Sequence, residues 1–322
     1  MRRSPLPLLI GLVVLVTVVL MAMIPIMGGM LTAGGGGATP SLFAFGEKIV
    51  ILEVEGVLGE GPGYGADSKR LREVVQRWAA DRSVKGMILR VNSPGGTVSA
   101  TQDLFEAVRR FAEEKPVVAS MGDIAASGGY YVAMAADEIY ANPGSLTGSV
   151  GVIMSFWGYK DLVDKIGLEP RTIKSGQFKD IGSGARPMTD EERALLEGTV
   201  ADVHEQFFEV VAEARFDAAR AVLAEQSGRQ PKDIPDEEVE AHLRLWCDGR
   251  IFSGRQAAES GMVDHVGTFD QALDHLKAQL GVKDTVRIVR TPRPQPSFFG
   301  LMRHQLRNAT PGTVHLEFRF TM

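Results

Sequence analysis

Ser127 stands where a run of small residues meets two glycines, in the stretch "IAASGGYYVAMAADEIYA" at 124–141. A serine at such a point is either packing filler or a nucleophile, and a nucleophile needs a group to take its proton. Two glycine-rich turns end apolar segments: "NSPGG" at 92–96 and "SGG" at 127–129. Glycine lets the chain turn sharply and lets amide N–H groups face a ligand with no Cβ in the way. Two amides converging on one point form an oxyanion hole, and Gly96 and Gly128 are the candidates, Gly128 because it follows Ser127 directly. Glycine pairs at strand ends also make ordinary turns, so the spacing by itself leaves a structural role open.

The choice of base narrows the chemistry. All six histidines, His204, His242, His265, His275, His304 and His315, lie after residue 200. They fall in helical patterns, turns or the C-terminal tail, and are read as surface or core residues. Asp123 and Asp137 flank the second turn, and Asp137 is read as the end of a helix. Lysine remains: Lys174 and Lys179 lie in "IKSGQFKDI", read as a strand-to-loop junction. A free lysine, with a pKa of about 10.4, is a poor base at neutral pH, but burial lowers it. Periodicity does not choose between Lys174 and Lys179, so this reading stops at a Ser/Lys hydrolase.

The elements that must hold these residues read as strand and helix in alternation. "IVILEVEGVL" and "KGMILRV" are strands, "SKRLREVVQRWAAD" has helical spacing through Leu71, Val74, Val75 and Trp78, and a further helix is expected over about 102–114. "PVVASMG" is the strand before Ser127. Such alternation predicts an α/β fold with a largely parallel sheet. A strand and long polar loop are expected over "EPRTIKSGQFKDIGSGARPM". Thr189 and Glu192 then form a capping box that opens a helix to about residue 214. The segment 291–322 is read as a tail with little regular pattern.

The chain has 322 residues and a formal net charge of −5, with no long basic run, which argues against a nucleic-acid partner. Its single cysteine, Cys247, excludes an intrachain disulfide, and no histidine spacing suits a zinc site. Arg2 and Arg3 precede an apolar run at 6–27, and no charged residue follows before Glu47. That run is long enough to cross a bilayer core of roughly 30 Å. It is longer than the apolar region of a signal peptide and no good small-x-small cleavage site closes it, so an uncleaved anchor with a cytoplasmic N-terminus is expected. The expected organisation is an anchor at 1–28, a glycine-rich linker at 29–47, a catalytic domain at 48–290 and a tail at 291–322.

Together, "LRVNSPGG", "MGDIAASGGYYVAMAADEIYANPGSLTGSVGVI", "IKSGQFKDI", "MTDEER" and "DGRIFSGRQAAESGMVD" occur in the order found in SppA-type signal peptide peptidases, which this chain resembles from about residue 48 to 281. The resemblance implies a ClpP/crotonase-like spiral superfold of the α/β class behind an N-terminal transmembrane helix. It implies that Ser127 is the nucleophile and that Lys179, rather than Lys174, is the general base. Ser149 would orient the lysine, and the amides of Gly96 and Gly128 would form the oxyanion hole. With one copy of each motif, the chain resembles the family's half-length form. That form implies a homo-octamer whose sites combine Ser and Lys from adjacent subunits. Implied substrates are leftover signal peptides and other extended apolar peptides, met at the outer face of the bacterial cytoplasmic membrane, with no metal or organic cofactor. The rival readings are a related peptidase acting on other membrane proteins, a crotonase-like acyl-CoA enzyme, and a non-catalytic scaffold.

Overall fold

The structure, a computed structural model, describes residues 46–61 and 63–292 and the backbone of 317–319. The expected anchor and nearly all of the linker lie outside the described residues. Among those described, no helix is long and apolar enough to cross a membrane.

Strand β1 (Lys48–Glu55) and the two-residue strands β2 (Leu58–Gly59) and β3 (Ala66–Asp67) lead into α1 (Ser68–Ala80). Strands β4 (Val84–Ser93) and β5 (Gly95–Thr97) lead into α2 (Val98–Ala112), and β6 (Val117–Ala126) leads into the short helix α3 (Gly128–Ala133). Then come β7 (Glu138–Ala141), β8 (Leu146–Gly148), α4 (Lys160–Lys165), the long α5 (Asp190–Ser227) and α6 (Asp236–Trp246). The order closes with β9 (Ile251–Ser253), α7 (Gly254–Glu259), β10 (His265–Val266), α8 (Phe269–Leu280), β11 (Arg287–Arg290) and β12 (Glu317–Arg319).

The main sheet runs β10-β7-β6-β4-β1-β11, and all neighbours on this path are parallel. Its central strands read as near-continuous apolar runs because both faces are covered. On one face Val50, Leu52, Val54, Met87, Leu89, Val91, Ala119 and Met121 pack against apolar residues of α1, α2, α3 and α5. On the other, Ile49, Ile51, Ile88 and Val118 meet Ala272 and Leu276 of α8.

Strand β6 changes partner along its length, and this change aims the chain at Ser127. Val118–Met121 pairs with β7, whereas Ile124, Ala125 and Ala126 pair with Leu146, Thr147 and Gly148 of β8. The register of β4 on β6 shifts between Val91 and Ser93. The Asn92 side chain stitches this irregularity, its Oδ1 accepting from the Ile124 amide at 3.2 Å. A Cβ at Gly122 would lie within about 3 Å of that side chain, so the strand passes closely only because residue 122 is glycine.

Helix α5 opens with the expected capping box: Thr189 accepts from the Glu192 amide, and the Glu192 side chain accepts from the Thr189 amide. It runs past the expected end near 214 because no glycine or proline interrupts 199–227, and it stops at Gly228 with φ 66°. Arg215, midway along it, donates to the Gly261 carbonyl and forms a two-pronged pair with Asp264 at 2.9 and 2.8 Å. The expected strand before "IKSGQFKDI" is absent: no helix or strand lies between α4 and α5. Ile173 there is fully exposed, so its β-branched side chain has no sheet to join.

Arg215→Ala would leave the Asp264 carboxylate without its charge partner in a largely closed setting. The expected loss is about 3–5 kcal/mol of stability, read as a lower urea midpoint at unchanged slope. A loss below 1 kcal/mol would show that the pair does not anchor α5.

Candidate active site

Ser127 lies between β6 and α3 with φ 52° and ψ −119°. Only Ser127 and Ser149 hold positive φ among the described non-glycine residues. A side-chain-bearing residue in such a region costs about 1–3 kcal/mol and persists only where its surroundings over-determine it. Here the Ser127 amide donates to the Gly148 carbonyl at 2.8 Å, and the Ser127 carbonyl accepts from the Tyr131 amide at 2.8 Å. The side chain is fully buried, and its Oγ has no hydrogen-bond partner among the described residues. A sharp strand-to-helix turn that presents a serine in this way is the geometry used to hold a nucleophile.

The two glycine turns meet at this point. A Cβ on Gly128 would stand 3.2 Å from the Gly96 nitrogen and 2.8 Å from Thr101 Oγ1, so the backbones of α3 and β5 touch with no room for a side chain. On β5, a Cβ on Gly96 would fall 1.9 Å from the Leu58 carbonyl oxygen. Gly129 is equally confined, 2.6 Å from the Ser93 carbonyl by the same measure. Gly128 is the first residue of α3, where a helix leaves its amide without an intrahelical acceptor. The structure thus brings Ser127, Gly128 and Gly96 together, as the turns suggested.

The region that carries these turns matches a known family model. Residues 109–229 match the model described as peptidase family S49. A putative protease of Synechocystis is 34% identical over 251 residues, covering 78% of this chain and 81% of that protein. The chain belongs to peptidase family S49. A putative signal peptide peptidase SppA of Enterococcus faecium is 32% identical, covering 76% of this chain and 67% of its own length. The chloroplastic serine protease SPPA of Arabidopsis thaliana is also 32% identical, but this chain spans 34% of its length. Among solved structures, a mutant of a membrane-bound stomatin-specific protease in complex with a substrate peptide is similar, with a TM-score of 0.44 and 13% identity. That likeness covers 82% of this chain and 99% of the other. This S49 member is an SppA-type peptidase, which makes a serine protease of it and removes the acyl-CoA reading.

The four described histidines of this peptidase are committed elsewhere. His204 Nε2 lies 2.8 Å from the Cys247 carbonyl and His242 Nε2 2.8 Å from the Ser260 carbonyl, while His265 and His275 flank Glu138. His304 and His315 lie outside the described residues. Asp137 serves the backbone, accepting from the Val117 amide at 2.8 Å. Cys247 is buried, and burial pushes its thiol up to about 12, which makes it inert packing.

The structure separates the two lysines that the sequence left level. Lys174 Nζ pairs with Asp180 at 2.6 Å and donates to the Gln177 carbonyl at 2.8 Å. Lys179 is exposed and has no ion pair or side-chain hydrogen bond among the described residues. It does not reach Ser127, whose hydroxyl has no partner among the described residues. Ser149 is nearly buried, with φ 51°, and its amide donates to the Arg250 carbonyl at 2.7 Å. It directly follows Gly148, the residue that fixes the Ser127 amide.

One organiser of the lysine loop escaped the sequence reading. Arg186 reaches Asp180 at 2.8 and 3.0 Å and also grips Glu192, which is almost fully buried in the first turn of α5. Arg186 and Lys174 hold the Asp180 carboxyl well below the usual range, and Arg186 with the Thr189 amide lowers Glu192 to about 2. No motif marks Arg186; only the capping box at Thr189 hints that Glu192 faces inward.

Two outcomes follow from this geometry. Gly128→Ala forces the β5–α3 contact apart at the Gly96 nitrogen, and peptidase kcat should fall about 100-fold or more; a value near wild type would detach that amide from the site. The second concerns acid. Both carboxyls have folded pKa values below their unfolded ones of about 3.9 and 4.3. Their support is therefore complete above that range and is lost as the pH falls through the folded values, about 2 for Glu192. Pepsin should cut within 174–187 progressively as the pH drops from about 4 to 2, whereas Arg186→Ala should be cut already at pH 4. Equal cutting of both proteins at every pH would rule out the clamp.

Proposed function

We propose that this protein is a membrane-anchored Ser/Lys-dyad endopeptidase that degrades residual signal peptides and other extended apolar peptides at the outer face of the bacterial cytoplasmic membrane. The observation that carries it is the buried, unpartnered Ser127 hydroxyl set in a positive-φ turn against the backbones of Gly128 and Gly96. In the mechanism, neutral Lys179, oriented by Ser149, takes the Ser127 proton as Oγ attacks the scissile carbonyl. The amides of Gly96 and Gly128 hold the developing oxyanion, and the leaving amine takes the proton from Lys179. The acyl-enzyme then passes to water activated by the same lysine, and Ser127 is regenerated. No metal or organic cofactor takes part.

We further propose that Lys179 serves the Ser127 of a neighbouring subunit in a homo-octamer built on a ClpP/crotonase-like spiral. Support comes from the segment that carries the lysine. Trp157 is 86% exposed and Ile173 fully so, with Leu162, Ile166 and Leu168 also open to solvent. An apolar surface of this kind suits burial against another copy. Membrane attachment rests on the apolar run at 6–27, and the arginines before it favour an N-terminus inside and a catalytic domain outside. A bowl of subunits facing the bilayer suits peptides already lodged in it.

The test uses the full chain in detergent with an apolar fluorogenic peptide. Ser127→Ala and Lys179→Ala should each lose roughly three orders of magnitude or more in kcat. Coexpression of the two variants in one assembly should restore activity. Restoration establishes a dyad shared between subunits; a dead mixed assembly, shown by light scattering to be oligomeric, rejects sharing. An active Lys179→Ala enzyme would reject the dyad itself.

A further inference from the structure

The stretch "SGGYY" at 127–131 ends in two tyrosines that take no part in the mechanism above. Both lie on α3, the helix that opens with Gly128. Six residues hold too few internal hydrogen bonds to fix a helix by themselves, so its partners decide where it stands. Tyr131 meets Phe105 of α2 edge-on, at 5.1 Å between ring centroids, and Phe207 of α5 at 4.9 Å. Apolar burial of this kind is non-directional; it keeps α3 close without setting its position along the contact.

Tyr130 makes a directional contact. It is fully buried, and its hydroxyl donates to the Met262 carbonyl at 2.6 Å. Burial pushes the phenol well above its ordinary range, so the hydroxyl stays protonated and remains a donor. The acceptor belongs to a turn, 261–264, that is tied to three other elements. The Met262 amide donates to the Ala257 carbonyl of α7 at 2.8 Å. Gly261, with φ 81°, lies so close to α5 that a Cβ there would stand 3.0 Å from the Ala219 backbone, and its carbonyl accepts from Arg215 Nε at 2.9 Å. Asp264, held by Arg215, also accepts from the Ile139 amide of β7 at 2.8 Å. Strand β7 is the neighbour of β6, the strand that leads to Ser127.

We propose that Tyr130 is a positioning residue for the peptidase reaction: its hydroxyl, bonded to the Met262 carbonyl, fixes α3 against the 261–264 turn and thereby places the Gly128 amide and Ser127 Oγ. This rests on the peptidase reading of Ser127 and Gly128 given above. The route from Tyr130 to the serine is short. The Tyr131 amide donates to the Ser127 carbonyl at 2.8 Å, so a slide of α3 passes straight to residues 127 and 128. A misplacement of about 1 Å at reacting groups can cost roughly 100-fold in rate.

The test compares Tyr130→Phe with Leu276→Ala, each in the full chain in detergent. Leu276 belongs to the core on the opposite face of the sheet, so its truncation destabilises the fold away from α3. Tyr130→Phe should lower kcat for an apolar fluorogenic peptide about tenfold at little changed KM, and by the same factor across the pH range. Leu276→Ala should lower the urea midpoint and keep the wild-type kcat. An unchanged kcat in Tyr130→Phe overturns the proposal, as does an equal loss in Leu276→Ala. A pH profile of altered shape also overturns it, because the phenol would then be exchanging a proton itself. Arg215→Lys loosens the same turn from the α5 side, since lysine lacks the two-pronged fork. It should lower kcat about threefold alone and no further in Tyr130→Phe. An unchanged kcat in Arg215→Lys, or losses that simply multiply, overturns the proposal even where Tyr130→Phe does not fold. A last readout needs no activity. In the Ser127→Ala chain, Tyr130→Phe should speed hydrogen exchange at the Tyr131 amide about tenfold. Unchanged exchange rejects the tether. Faster exchange in a protein with no Ser127-dependent peptidase activity keeps the tether and rejects the peptidase reading instead.

Discussion

The bond from the Ser127 amide to the Gly148 carbonyl governs how this molecule presents its serine. It exists because β6 exchanges β7 for β8 partway along, so that its last residues are flanked by Ser93 of β4 on one side and by Leu146–Gly148 on the other. Held on both sides, the chain can adopt φ 52° at a residue with a side chain, a conformation that an open loop would relax. The irregularity that allows the exchange is itself fastened, by Asn92 on the Ile124 amide and by the Ser145 hydroxyl on the Gly122 carbonyl at 2.6 Å. The strain at Ser127 is thus maintained by polar contacts from Asn92, the first residue of one glycine turn, and from Ser145, outside both turns.

Steric exclusion does the rest of the positioning. At Gly96, Gly128 and Gly129 an added Cβ would fall within 1.9–2.8 Å of backbone or of Thr101. Each glycine is therefore a point where two main chains come into contact, and the contacts bring two separate turns to one place. The electrostatics follow a different logic. The loop from 174 to 187 has no hydrogen-bonded ladder, and its order rests on Arg186 bridging Asp180 to the buried Glu192 at the start of α5. That bridge also draws Asp180 toward Lys174 and leaves Lys179 uncommitted.

The two edges of β5 are occupied by different means. The β2 edge is closed by backbone packed against Gly96, whereas the β12 edge is filled by a strand from the far end of the sequence. Three residues of pairing contribute little to global stability compared with the ten-residue central strands.

Local pattern made much of this legible. The apolar runs of β1, β4 and β6, the spacing of α1 and the capping box of α5 are properties of neighbouring residues, and each formed where the sequence placed it. Glycine turns at 92–96 and 127–129 were visible for the same reason, as was the family through its motifs. Three other features were not visible. The missing strand before Lys174 depends on whether a sheet edge is available, which β-propensity does not record. The anchoring of the longer α5 depends on Arg215 finding Asp264 across the fold. The pairing of β12 with β5 joins residues more than 200 positions apart. The sequence determined by itself which segments could be strand or helix and which residues had the chemistry to matter, because those depend on side-chain type and short-range spacing. Only the tertiary structure decided that Ser127 is strained and without a hydroxyl partner among the described residues, that Lys174 is paired with Asp180 while Lys179 is not, and that the backbone of 317–319 pairs with β5. Those outcomes depend on distances between segments that close only when the whole sheet assembles.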